Sequence, residues 1–235
     1  MRGAELACTA WRSVAVGDPA LCRRADLTTA RTRYYASSLA MARAAADRSA
    51  GQCVAFSGTL DANSLLYLVE RAPLKSLNVQ DIVLTDKVVN VAVALKKLPL
   101  LEDLEISTDY YNTQAENLFA SVCKACPHLK KLRLTFPEPE CDIDGDREIQ
   151  DGGVCEIPIM CELRSIELFE FDLTADGLAV ILENCPLLET LHIDGYFLGN
   201  NDGTYEELRE KCAARVKNLT LPEPDIFEDY DSDLD

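Results

Sequence analysis

The chain has 235 residues, is 48% hydrophobic and carries a net charge of -17, enough apolar material for one sizeable core or a short repeat array. No run approaches the roughly 18 uncharged apolar residues of a membrane-crossing helix, and so acidic a body repels phosphate backbones, which argues against nucleic acid as a partner. The charge is uneven: residues 1–50 balance at +4, which leaves -21 for the remainder.

At the amino terminus, Met1-Arg2-Gly3-Ala4-Glu5 lacks the apolar stretch of a secretory signal. The 10 cysteines are therefore expected to be reduced thiols in a cytoplasmic or nuclear protein. Leu6, Ala10, Trp11, Val14 and Ala15 recur at helical spacing until Asp18-Pro19 ends the pattern. Such a helix would cover the open apolar end of a repeat array.

From residue 74 the pattern L-x-x-L-x-L recurs. Its copies are Leu74–Val79, Leu101–Ile106, Leu129–Leu134, Leu163–Leu168, Leu188–Ile193 and Val216–Leu221. Intervals between first positions are 27, 28, 34, 25 and 28 residues, and all but one fall within the roughly 20–29 of a leucine-rich repeat. The longer one contains Glu138–Asp151, with seven acids and one base, and reads as a loop insertion. Alternate residues of a strand face opposite ways. The pattern therefore predicts one short parallel strand per unit, 74–79, 101–106, 129–134, 163–168, 188–193 and 216–221, with all six in one sheet.

Helices fill the intervals. Thr85–Leu98 and Leu173–Asn184 carry apolar residues at helical spacing behind Thr85-Asp86 and Thr174 as caps, and Ala115–Cys126 and Tyr205–Val216 are weaker versions. Pro99, Pro127 and Pro186 each precede the first Leu by two residues, where proline stops a helix. The architecture expected is α/β: a leucine-rich-repeat solenoid with strands on the concave face and helices on the convex face. A doubly wound sheet would need more apolar strands and longer connections.

The side chains opposite the buried positions line the concave face, from Ser76, Asn78 and Gln80 through to Thr190, His192 and Asp194. Beyond the strands lie Tyr110, Tyr111, Phe136, Phe171, Tyr196 and Phe197, several of which are expected to fold under and fill core. Phe169, Tyr110 and Tyr196 are expected to be exposed. The residues expected to hold a target are Tyr110, Lys131, Arg133, Glu167, Phe169, His192 and Tyr196.

Catalytic and metal motifs give nothing comparable. Cys123-x-x-Cys126 has no second such pair, and buried structural cysteines suit it better than zinc. Asp142-Ile-Asp144-Gly-Asp146 has Gly153 where a calcium loop needs its position-12 Glu. Neither a phosphate-cradling Gly-rich loop nor a nucleophile elbow is present, and two histidines form no coherent triad. No metal or cofactor is expected, and the reading is of a non-catalytic recognition surface.

Cys8-Thr-Ala-Trp11 followed by Pro19-Ala-Leu21 resembles the second half of an F-box, with Cys22 where that family usually has tryptophan. With the Cys-Pro steps at 126–127 and 185–186, and with Leu65–Leu68, Ala72–Leu77 and Leu98–Ile106, the chain resembles the plant F-box/leucine-rich-repeat proteins, the grass members above all, over roughly residues 5–222. The resemblance implies a substrate-recognition subunit of a cullin-based (SCF-type) ubiquitin ligase. Leu6, Trp11, Pro19 and Leu21 would face a Skp-type adaptor, and the repeats would hold a protein substrate. An F-box opens with a Leu-Pro pair and an amphipathic helix that residues before Trp11 do not supply. Residues 1–30 are therefore read as a truncated F-box-like segment, 31–222 as the repeat domain and 223–235 as an acidic tail. The alternative implied is an interaction module without ligase coupling.

Overall fold

The computed structural model describes Cys8, Ser13, Val14 and residues 17–28, 35–83, 88–108, 115–136, 156–198 and 203–223. Eight strands form one parallel sheet in strict chain order. They are β1 (Arg24–Asp26), β2 (Ala55–Asp61), β3 (Ser76–Val83), β4 (Asp103–Thr108), β5 (Lys131–Thr135), β6 (Ser165–Phe169), β7 (Thr190–Asp194) and β8 (Asn218–Thr220). Between them run α1 (Tyr35–Arg48), α2 (Ala62–Val69), α3 (Val88–Leu95), α4 (Ala115–Ala125), α5 (Ala175–Asn184) and α6 (Thr204–Arg215). This is the expected solenoid, with a parallel sheet on one side and a layer of short helices on the other.

The register explains the repeat. Ala25, Phe56, Leu77, Leu104, Leu132, Ile166, Leu191 and Leu219 stand opposite one another across all eight strands. Val79, Ile106, Leu134, Leu168 and Ile193 form a second row, almost wholly shielded from water. Each fully buried Leu or Ile contributes about 1.5–3 kcal/mol. No single unit could form this core, because each row is completed only by its neighbours.

Two details differ from the sequence expectation. The strands begin two residues later than the repeats do. Leu74, Leu101, Leu129, Leu163, Leu188 and Val216 are buried but belong to the turn that enters each strand. In that turn the N–H groups of Glu102 and Asp103 share the Lys75 carbonyl, and those of Lys130 and Lys131 share the Glu102 carbonyl. The same fork recurs at Arg164, Glu189 and Lys217, so the turns stack as a ladder of their own.

The sheet also has two strands more than expected. Cys22, Ala25 and Leu27, then Cys53, Phe56 and Gly58, occupy the places of the repeat leucines. Cys22 and Cys53 are buried like the first-position leucines. The sheet therefore reaches into the segment read as F-box-like: Pro19–Cys22 is a 3-10 turn that leads into β1.

Local sequence accounts for the helix ends. Thr174 caps α5 by accepting from the Gly177 N–H at 3.0 Å, as expected, and Asp61 caps α2 through the Ser64 N–H at 2.7 Å. Residues 85–86, which were expected to cap α3, lie outside the described residues, as do the acidic insertion 138–151 and all of the tail after residue 223. Cys123 and Cys126 are packed in the core, with the Cys126 thiol 3.9 Å from the Leu95 carbonyl. The eight described cysteines are free thiols.

Candidate protein-interaction surface

Alternate side chains of each strand, starting from its first, face away from the core, and those of β4 to β7 form a charged cluster. At the centre, Asn78 Nδ2 donates to Glu105 Oε2 at 2.7 Å. Arg133 lies between two carboxylates, with Nε 3.7 Å from Glu105 Oε1 and Nη1 3.1 Å from Glu167 Oε2. The Arg133 guanidinium also lies over Phe169, 4.6 Å from the ring centre. Phe169 in turn meets His192, with centroids 5.0 Å apart. Four of the expected target-holding residues, Arg133, Glu167, Phe169 and His192, are thus brought into one cluster across β5, β6 and β7. Strand register alone accomplishes this, since Arg133 stands opposite Glu167 and Glu167 opposite His192.

Lys131 is exposed on the same face, opposite Asp103. Tyr196 is 41% exposed beyond β7, as expected. Phe169 is less exposed than expected, because Arg133 covers part of its ring. Phe136, Phe171 and Phe197 turn under the rim. Phe171 packs 5.9 Å from Phe136 and 6.3 Å from Phe119, and Phe197 stacks on Tyr205 at 3.8 Å. Tyr110 and Tyr111 lie outside the described residues. Asn78 and Glu105 complete the central row, although sequence reasoning placed them on this face without singling them out.

The entry side of the sheet is held by charge. Glu102 bridges Lys75 at 3.2 Å and Lys130 at 2.7 Å, one residue pair per repeat. Glu189 bridges Arg164 and Lys217 in the same way. These are the second residues of L-x-x-L-x-L, so each of the two carboxylates lies between cations of the repeats before and after it. Hydrogen bonds from Lys130 and then Lys75 hold the Glu102 carboxyl below its ordinary range, and those from Lys217 and Arg164 do the same for Glu189.

Of the residues the resemblance assigned to an adaptor, Pro19 is half-buried and Leu21 is 40% exposed, both on the turn before β1. Leu6 and Trp11 lie outside the described residues. Cys22, beside Leu21, points into the core.

No family model matches the chain. Curated relatives do. Putative F-box/LRR-repeat protein 22 of Arabidopsis thaliana is 32% identical over 98% of this chain and 72% of its own length. F-box protein SKIP19 of the same plant is 31% identical over 97% of this chain and 72% of its own length. Putative F-box/LRR-repeat protein 23 is 33% identical over 94% of this chain, which spans only 48% of that protein.

Proposed function

The chain belongs to the plant family of F-box/leucine-rich-repeat proteins, and from that premise we propose that it is a substrate-recognition subunit of an SCF-type ubiquitin ligase. On this reading it performs no chemistry. The concave face holds a target protein, and the amino-terminal segment docks on a Skp-type adaptor. Transfer to the target then occurs at high effective concentration instead of by random encounter.

The observation that carries the reading is the Arg133–Glu167–Phe169–His192 cluster on the solvent side of the sheet, at a distance in sequence from the amino-terminal segment. A polar face built around an aromatic and an arginine has the composition of an interaction hot spot. The exposed Leu21, on the turn entering β1, supplies an apolar side chain to the adaptor end.

Cys22 favours a second reading. It stands where F-boxes have tryptophan, and it is buried as the first position of the first repeat, so it offers no side chain to an adaptor. A recognition module without ligase coupling would suit that feature.

Co-purification with a Skp-type adaptor and its cullin tests the proposal. Capture by the full chain that is lost in Trp11→Ala and Leu21→Asp, and kept in Phe169→Ala, is the expected result. No capture by a folded chain would leave the uncoupled module.

A further inference from the structure

The first two turns of the solenoid carry cysteine where the later ones carry leucine. Cys22 and Cys53 each precede their strand by two residues, as Leu74 and Leu101 do. Arg24 pairs with Ala55 across β1 and β2, and the Arg23 carbonyl accepts from the Val54 and Ala55 N–H groups. Cys22 and Cys53 therefore stand opposite each other in neighbouring turns, both buried. Neighbouring parallel chains run about 4.8 Å apart, inside the roughly 4.4–6.8 Å that separates the Cα atoms of a disulfide. The Cys53 sulfur lies 3.4 Å from the Ala55 carbonyl and also bonds to the backbone of Ala25 in β1, so it sits at the seam between the two strands. Among the described residues, Cys126 and Cys185 also share a repeat position, but the buried Met160 of the repeat between them separates the two.

β1 is the edge of the sheet and only three residues long. Such a strand opens before the interior does, and its opening brings both thiols to water. We propose that Cys22 and Cys53 are a redox pair, which a hydroperoxide oxidises to a disulfide that staples the first turn of the solenoid to the second. In the opened state the Cys22 sulfur attacks the peroxide. An S–O bond forms, the O–O bond breaks, and the leaving oxygen takes the Cys22 proton. The Cys53 sulfur then attacks the Cys22 sulfenic acid. An S–S bond forms, the S–O bond breaks, and water leaves with the Cys53 proton. Two thiols and one hydroperoxide give one disulfide, one water and one alcohol (a second water from hydrogen peroxide). A small thiol reverses the bond by exchange. The link closes a loop over the 30 residues between the cysteines, which include β1 and α1, and so holds the edge strand shut. Leu21 adjoins Cys22, so the staple also fixes the turn that carries this exposed side chain. The proposal is independent of ligase coupling.

Hydrogen peroxide added to the reduced, folded full chain tests it, with peptide mapping under non-reducing conditions. The expected product is a linked Cys22–Cys53 peptide, two hydrogens lighter than its parts and lost on adding dithiothreitol. Amide exchange at Leu27 and Val54, whose N–H groups bond between the first and second turns, should slow at least about tenfold in the linked chain. Cys22→Ala and Cys53→Ala should each remove both effects, and Cys185→Ala should keep both. Circular dichroism melts establish that each variant is folded, and mapping of the unmutated chain decides the pairing in any case. The proposal fails if Cys22 and Cys53 stay reduced at peroxide concentrations that oxidise the exposed Cys161. It fails equally if they pair mainly with other cysteines, or if Leu27 and Val54 exchange as fast in the linked chain as in the reduced one.

Discussion

The Tyr205 hydroxyl donates to the Pro222 carbonyl at 2.6 Å, tying the first turn of α6 to the chain that leaves β8. Tyr205 is fully buried, and its ring stacks on Phe197. A solenoid has no neighbour to cover its last unit, and this pair closes the described carboxy-terminal end. Tyr205→Phe keeps the ring but strands a buried acceptor, so it should cost about 1–3 kcal/mol. Urea unfolding checks this: the midpoint should fall with an unchanged slope.

Alkaline pH should destabilise the fold. Burial pushes Cys126 and Cys185 up from 9.0 to about 12 and Cys212 to about 11, and raises Cys123 further. Burial also pushes Tyr205 from 10.0 to about 12. Above their ordinary values these groups keep their protons in the folded chain and lose them in the unfolded one. The unfolded state then binds fewer protons, so stability falls as pH rises from about 9 towards 12. Unfolding measured across that window should show the fall, and Cys185→Ala should flatten part of it.

Gly195 follows β7 with φ 154°, and a Cβ there would lie 2.2 Å from the Phe171 carbonyl oxygen. Phe171 cannot yield freely, because its ring is held among Phe119 and Phe136. Gly195→Ala should therefore cost about 3 kcal/mol. Its effect should appear both in thermal melting and as chemical-shift changes at Phe171 and Tyr196. A variant as stable as the parent would contradict the packing described.

Glu102 and Glu189 should titrate below the ordinary 4.5. Lys130→Ala should raise the Glu102 midpoint more than Lys75→Ala, because the Lys130 hydrogen bond is the larger cause. Whatever stability these carboxylates add is present above 4.5 and is lost as pH falls through their folded values. Both pairs lie at the surface, so salt should shrink the shifts. Carboxyl NMR titration of the three chains decides it.

The solenoid was legible in the sequence from residue 74 onward because its signal is local: leucines at fixed offsets, proline before them and helical spacing between them. The concave face was legible for the same reason, since alternation along a strand assigns Arg133, Glu167 and His192 to one side. β1 and β2 were not legible. Cys22, Ala25, Cys53, Phe56 and Gly58 show no leucine pattern, and what makes them repeats is their register against Leu77 and Leu104, which only the stacked sheet supplies. Tertiary structure also decided which aromatics remain open to solvent. Phe169 and Phe171 are two residues apart, yet Phe171 is sealed between Phe119 and Phe136 while Phe169 lies under Arg133. A side chain's type is written in the chain, but what covers it belongs to the neighbouring repeats.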